Sequence, residues 1–158
     1  MTRNDEYFMQ RAIRMAEKGM NRNAGGPFGC VIVKDGEIIA EGHNRVTSTN
    51  DPTAHAEVVA IRKACRKLKS FQLTDCIIYT SCEPCPMCLG AIYWARPKMV
   101  YFAATKKDAA AIDFDDQFIY EELERPLGKR QLKFARLLRR DALEVFEQWA
   151  AKTDKTEY

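Results

Sequence analysis

The stretch TSCEPCPMC places three cysteines three residues apart, at Cys82, Cys85 and Cys88. Pro84 and Pro86 fit the start of a helix, where a missing backbone N–H costs little. Cys85 is therefore expected in the first helical turn and Cys88 one turn later on the same face. The positive end of the helix dipole favours the thiolate there, which is the form that binds a metal. A disulfide framework, a redox pair and a metal site are all compatible with this spacing.

The rest of the sequence argues against a disulfide framework. The segment MTRNDEYFMQRAIRMAEKGM is charged and amphipathic, with no apolar core of signal-peptide length. No other stretch approaches the roughly 20 apolar residues that a membrane span needs. We therefore expect a cytoplasmic protein, in which the six cysteines serve as metal ligands or as buried thiols.

The tripeptide His55-Ala56-Glu57 supplies the other groups that a metal site needs. The segment DPTAHAEVVAIRKACRKLK predicts a helix capped by Thr53, so that His55 lies in its first turn. One imidazole and two thiolates give three zinc ligands and leave the fourth tetrahedral position to water, as in catalytic zinc sites. Glu57 is then available as a general acid and base. Cys82 ends the preceding strand, and we expect it to be a small buried side chain and not a ligand.

The segments around these residues predict an α/β domain. An amphipathic helix opens the chain, with Asn4 as its N-cap. Its predicted apolar face consists of Met9, Ala12, Ile13, Ala16 and Met20. A hairpin follows around Asp35-Gly36, and CIIYT and KMVYFAA read as strands buried on both faces with the helix CLGAIYWA between them. This alternation of strands and helices predicts crossover helices packed on a sheet.

The pattern beyond Ala104 is weaker. FIYEEL predicts a helical turn and DALEVFEQWAAK a helix, RQLKFARLL is compatible with a strand or a helix, and TDKTEY reads as a polar tail. A chain of 158 residues, 46% of them hydrophobic, can bury a core of its own, and we expect a single domain.

The net charge gives no strong indication of a nucleic-acid or membrane partner. Lys and Arg number 25 against 22 Asp and Glu, so the formal charge is only +3. The basic residues between Lys106 and Arg140 are scattered, and a solvated surface explains them.

The order of the two motifs, HAE and then PCPMC, matches the signature of zinc-dependent nucleobase deaminases. Through them the chain resembles the cytidine deaminase superfamily, and more closely its guanine deaminase branch through GGPFG, GHN, NDPTAHAEV, YTSCEPCPMCLGAIYWARP, FDDQFIY and the terminal Tyr158. The resemblance implies a three-layer α/β/α sandwich around a mixed sheet. It also implies one zinc ion per chain on His55, Cys85 and Cys88, and hydrolysis of guanine to xanthine and ammonia with Glu57 as the catalytic residue.

The same resemblance implies a set of substrate-binding residues. Asn44 is expected to hold the base by hydrogen bonds, and Phe28 to supply an aromatic wall for stacking. Asp116 can accept hydrogen bonds from guanine's amine and ring N–H, a pattern that adenine and cytosine do not match. Ala56 is expected to contact the substrate, and Trp94 either packs beside the pocket or fills the core.

A homodimer is expected from the resemblance and from one helix. Ile92, Tyr93 and Trp94 stand in a row and carry more apolar surface than one helix face can bury. The C-terminal segment is expected to close over an active site, its own or that of the partner, and to bring Tyr158 near the base.

Two other functions remain open. A tRNA-specific adenosine deaminase shares DPTAHAE and the Glu-Pro-Cys-x-Met-Cys run, although FDDQFIYEEL, the ending TEY and the lack of a concentrated basic patch argue against it. A non-catalytic interaction domain stabilised by zinc is the second alternative, and it differs in closing the fourth zinc position.

Overall fold

The structure is a computed structural model that describes residues 3–158. Its elements in chain order are α1 (Arg3–Asn21), β1 (Gly29–Lys34), β2 (Glu37–His43), α2 (Val46–Thr49), α3 (Ala56–Leu68), β3 (Ile77–Cys82), α4 (Pro86–Ala95), β4 (Met99–Ala104), α5 (Lys106–Ala110), α6 (Gln117–Glu124), a 3-10 turn (Leu127–Lys129) and α7 (Arg139–Ala151).

Four strands form a mixed sheet in the order β2-β1-β3-β4. β1 is antiparallel to both β2 and β3, whereas β3 and β4 are parallel and joined by the crossover helix α4. The predicted hairpin is confirmed, since Asp35 and Gly36 both have positive φ angles, 51° and 80°, as a two-residue type I′ turn requires.

Helices cover both faces of this sheet. Side chains alternate along β1, so that Val31 and Val33 pack with Phe8 and Ala12 of α1, while Ile32 faces the opposite layer. That opposite layer consists of α3 and α4. Ala56, Ala60 and Ala64 of α3 are fully buried there, and the buried Ile92 of α4 belongs to the same core as Ile78 of β3. The structure therefore has the three-layer α/β/α arrangement that the sequence predicted.

Several predicted helix details are wrong. Helix α1 begins at Arg3, so Asn4 lies inside it and is not its N-cap. Ile13 and Met20 are exposed, because the buried face of α1 is shifted toward Phe8 and Met15.

The last strand and the C-terminal region also differ from expectation. β4 lies at the sheet edge and is not buried on both faces, with Met99 and Phe102 exposed. The short helices α2 and α5 were not predicted. The segment RQLKFARLL forms neither a strand nor a helix, whereas the helices predicted for FIYEEL and DALEVFEQWAAK are present as α6 and α7.

The described chain divides into two compact units, one ending at Asp116 and the other running from Gln117 to Tyr158. The first holds the sheet with α1 to α5, and the second holds α6 and α7. That the chain acts as a single domain stays a prediction. Within residues 3–158 no helix is both long enough and apolar enough to cross a membrane.

Candidate active site

Three predicted zinc ligands come together at the start of two helices. His55 is the N-cap of α3, and Cys85 is the N-cap of α4, one residue before Pro86 at the first helical position. Cys88 lies in the first turn of α4 and is fully buried. The helix starts therefore place all three side chains where backbone N–H groups carry partial positive charge.

The distances among these ligand atoms suit a tetrahedral zinc ion. Nδ1 of His55 lies 3.6 Å from Sγ of Cys85 and 3.6 Å from Sγ of Cys88, and all three atoms lie within 4.8 Å of one another. Zinc bonds of about 2.3 Å to sulfur and about 2.0–2.1 Å to nitrogen, at a tetrahedral angle, separate S and N by about 3.5–3.6 Å. The three residues therefore fit zinc, with a fourth position left for water.

The pKa values of the Cys85 and Cys88 thiols are shifted in opposite directions. The hydrogen bond with Cys88, together with a smaller contribution from His55, lowers the pKa of Cys85 to about 4. The same hydrogen bond, together with burial, raises the pKa of Cys88 well above its usual range. The pair thus holds a thiolate beside a thiol, and a metal that binds both sulfurs has to displace the Cys88 proton.

Glu57 is buried beside the ligands, in the first turn of α3. The Thr80 hydroxyl donates to Oε1 at 3.2 Å and the Cys88 thiol donates to Oε2 at 3.4 Å. Burial is the main cause that raises the pKa of Glu57 above its ordinary value. A carboxyl group whose pKa moves toward neutrality is well suited to take up and release protons.

Cys82 differs from its two neighbours. Its thiol is buried and donates to the carbonyl of Thr105 at 3.6 Å, and burial raises its pKa to about 11. It is not part of the ligand group formed by His55, Cys85 and Cys88. The geometry therefore favours the three-ligand set without Cys82.

A cavity of about 400 Å³ opens beside these residues, within the size range of small-molecule sites. Its lining comprises Gly26, Phe28, Asn44, Val46, Thr47, His55, Glu57, Cys82, Glu83, Cys85, Lys106, Ala109, Asp113, Phe114, Asp115 and Asp116. All of them belong to the first unit.

Two aromatic rings form the apolar part of the lining. Phe28 and Phe114 meet edge to face, with ring centroids 4.9 Å apart and planes at 88°. Sequence reasoning found Phe28 but missed Phe114. The only available signal was its place in FDDQFIY, directly before the two aspartates.

Asn44 forms a polar part of the lining, although only 4% of its surface is exposed. Its Oδ1 accepts a hydrogen bond from the backbone N–H of Val46 at 3.1 Å. Its backbone N–H donates to the carbonyl of Phe28 at 3.0 Å. The Val46 N–H can only donate, so the amide oxygen must face it. The amide NH₂ group is then the part of Asn44 that can bond a ligand.

Asp116 supplies a second polar group. It lines the cavity, and burial raises the pKa of its carboxyl group above the ordinary value. Its charge is one of the causes that raise the pKa of His55, after the hydrogen bond to Cys85.

The remaining predicted substrate residues do not line this cavity. Ala56 is fully buried on α3, and Trp94 lies on α4 with 64% of its surface exposed. Tyr158 belongs to the second unit and is 69% exposed. Substrate-binding roles for these three residues stay predictions.

The fold, the helix-start ligands and the buried glutamate define a zinc-dependent deaminase. The family model described as the cytidine and deoxycytidylate deaminase zinc-binding region matches residues 2–104. The chain belongs to this family.

Two kinds of enzyme in this family are similar to almost the whole length of this chain. The guanine deaminase of Bacillus subtilis (strain 168) is 58% identical over 155 residues, which cover 98% of this chain and 99% of that protein. A crystal structure of guanine deaminase from Bacillus subtilis has a TM-score of 0.95 at 57% identity and covers 100% of this chain and 99% of the other. The tRNA-specific adenosine deaminase of Aquifex aeolicus (strain VF5) is 34% identical over 148 residues, which cover 93% and 94% of the two chains.

Proposed function

We propose that this chain hydrolyses guanine to xanthine and ammonia. The observation that carries the proposal is its 58% identity with a guanine deaminase over nearly the full length of both proteins, against 34% for a tRNA-specific adenosine deaminase. The similarity extends through the second unit, beyond the part that the family model matches.

The chemistry follows from the positions of the zinc ligands and Glu57. His55, Cys85 and Cys88 would hold the zinc ion, which would supply an activated water at near-neutral pH. Glu57 accepts a proton from the water that attacks C2 of guanine and donates a proton to the neighbouring ring nitrogen. It then takes the proton of the new C2 hydroxyl group and delivers it to the departing exocyclic amine, so that guanine and water yield xanthine and ammonia.

The cavity offers complementary groups for the base. The Asn44 amide NH₂ donates to an acceptor of the purine, and the Asp116 carboxylate accepts from guanine's amine and ring N–H. The Phe28 and Phe114 rings pack against the apolar faces of the base. Adenine lacks the donor pattern that Asp116 requires.

An ultraviolet assay of purified protein with four substrates tests the proposal. Guanine, adenine, cytosine and a tRNA anticodon stem-loop are compared at equal concentration. We expect turnover of guanine alone. Deamination of the stem-loop adenosine without turnover of guanine would replace this function with tRNA editing. Zinc-loaded protein that is inactive on all four would favour the non-catalytic domain.

We further propose that the protein acts as a homodimer. In the first unit, Tyr93 and Trp94 on α4 and Met99 and Phe102 on the edge strand β4 are large exposed apolar side chains. Single subunits seldom expose large apolar patches, and a second copy of the chain would cover these side chains. Light scattering at micromolar concentration should give twice the chain mass of 18.1 kDa, and a monomeric mass would refute the dimer.

The proposed function, the charge and the cysteines together indicate the partners and the location of the protein. A small-molecule purine is the only partner besides the second subunit that this function requires, and a formal charge of only +3 gives no strong indication of a nucleic-acid partner. None of the six cysteines, all of which lie in the described residues, forms a disulfide, which supports a location in the reducing cytoplasm.

A further inference from the structure

Gly25 lies directly against the side chain of Asn44. A Cβ atom placed on Gly25 would come within 2.1 Å of Oδ1, 3.0 Å of Cγ and 3.1 Å of the backbone carbon of Asn44. Contacts below 3.0 Å do not occur in real structures, so the two side chains cannot occupy this space together. Gly25 itself does not line the cavity.

The conflict at Gly25 is one of space and not of backbone conformation. Its φ angle lies outside the left-handed region, so an alanine can adopt the same backbone. Gly29 and Gly42 are also crowded. There an added Cβ would meet the backbones of α1 and α3, so that a substitution would disturb the packing of a helix on the sheet. Gly25 differs because the atom it would displace belongs to a cavity-lining amide.

The displaced atom is the one that fixes the orientation of Asn44. Oδ1 accepts the Val46 N–H at 3.1 Å, and this bond leaves the NH₂ group for a ligand. A methyl group on Gly25 would push Oδ1 away from Val46 and turn or withdraw the amide.

We propose that Gly25 is a positioning residue for purine binding: its missing side chain provides the space in which Asn44 holds its amide NH₂ ready to donate to the base. The inference rests on the proposed function, since it assigns Gly25 a part in binding guanine. It predicts that the two residues act as a unit.

The first test is Gly25→Ala, assayed with guanine. We expect KM to rise by about threefold to tenfold, the loss of one hydrogen bond to a neutral ligand, with a smaller change in kcat. Zinc content should stay at about one per chain. Gly128→Ala is the matched control, because nothing lies within 4 Å of a Cβ at Gly128, and it should leave KM unchanged.

A double-mutant cycle with Asn44→Ala shows whether Gly25 acts through Asn44. Once the amide is removed, Gly25→Ala should change kcat/KM by less than about twofold, because Oδ1, the atom that the new Cβ would meet at 2.1 Å, is gone. Gly128→Ala should have no effect in either background. Should Asn44→Ala fail to fold, Asn44→Ser takes its place, since its hydroxyl can still accept the Val46 N–H.

Each result decides between distinct conclusions. The inference would be overturned if Gly25→Ala had the wild-type KM. It would also be overturned if the loss of kcat/KM in the double variant equalled the product of the losses in Gly25→Ala and Asn44→Ala. In both cases turnover of guanine by the wild-type protein would still support the proposed function. Absence of guanine turnover by the wild-type protein would overturn the proposed function, and this inference with it.

Discussion

Glu57 has the position and the surroundings of a proton-transfer group. It is buried, it accepts hydrogen bonds from Thr80 and Cys88, and it is separate from the three ligands. Glu57→Gln keeps the size and the acceptor oxygen for Thr80 but cannot take up a proton. We expect this change to lower kcat for guanine by about 10²–10⁴-fold, measured by ultraviolet assay.

Zinc content separates this effect from damage to the site. Elemental analysis of Glu57→Gln should still give about one zinc per chain, because none of the ligands has changed. Turnover near the wild-type rate would remove Glu57 from the mechanism.

The neighbouring cysteines allow a matched pair of substitutions. In Cys82→Ser the hydroxyl can still donate to the Thr105 carbonyl, so zinc content and most activity should remain. In Cys85→Ser one of three ligands is lost, and we expect zinc content to fall well below one per chain and turnover to cease. Both are measured by elemental analysis and guanine assay. Loss of zinc from Cys82→Ser would show that the wrong thiols were assigned.

The ligand set was accessible from the sequence, whereas much of the cavity was not. His55, Cys85 and Cys88 carry distinctive chemistry at fixed spacing within two motifs. Phe114 and Thr47 belong to residue types that occur everywhere, and they reach the cavity only through the path of an irregular segment and of the short helix α2, respectively. No local pattern encodes that path.

Among the secondary-structure elements, the start of α3 shows how local hydrogen bonds compete with helix formation. The sequence predicted that Thr53 caps α3, but the backbone N–H and the hydroxyl of Thr53 both donate to Oδ1 of Asp51, at 2.8 and 2.7 Å. Because of this turn the helix starts two residues later than predicted, with His55 as its N-cap. The imidazole therefore lies at the N-terminus of α3, where it can face the two thiols.

An ion pair connects α1 to β2. The guanidinium of Arg11 donates to both carboxylate oxygens of Glu41, with Nη2 to Oε2 at 3.0 Å, and this hydrogen bonding lowers the pKa of Glu41. A carboxyl whose folded-state pKa is lowered stabilises the fold above its unfolded pKa, about 4.3, and loses that contribution as pH falls through the folded pKa.

We therefore predict a pH-dependent loss of stability in Glu41→Gln. Urea unfolding at about pH 7 should show a loss of about 0.5–1 kcal/mol, kept small by solvent screening of the partly exposed Arg11. At a pH below the folded pKa of Glu41 the difference from wild type should vanish. Glu37→Gln, an exposed glutamate on the same strand, is the control and should change stability little at either pH. An equal loss for Glu41→Gln at both pH values would contradict an electrostatic origin.

At the scale of the molecule, the sequence predicted the layered unit better than the C-terminal one. The first unit repeats strands and helices whose apolar periodicity reports burial, and the order of its central elements was predicted correctly. In the second unit the apolar side chains of α7, among them Val145, Phe146 and Trp149, are exposed in the single chain. The apolar periodicity of this segment predicts the helix, but it does not identify the surface against which the apolar face of α7 would pack.

The tail TDKTEY has a composition that gives it little to bury, yet it contains the aromatic Tyr158. We propose that this tail closes an active site of the dimer, where Tyr158 excludes water from the bound base and reopens for product release. A closed tail leaves no room for a polynucleotide, which links this prediction to the choice of guanine over tRNA.

Deleting Thr156 to Tyr158 should lower guanine turnover on the order of tenfold to a hundredfold, as expected when a lid no longer holds the substrate in place. Zinc content and the thermal unfolding midpoint should not change, because the deletion removes neither a ligand nor a core residue. Tyr158→Phe separates two roles of the ring: retained activity would assign it to packing, and reduced activity to a hydrogen bond from its hydroxyl. Undiminished turnover after the deletion would contradict a lid, since a segment that excludes water from the reaction cannot be removed without effect.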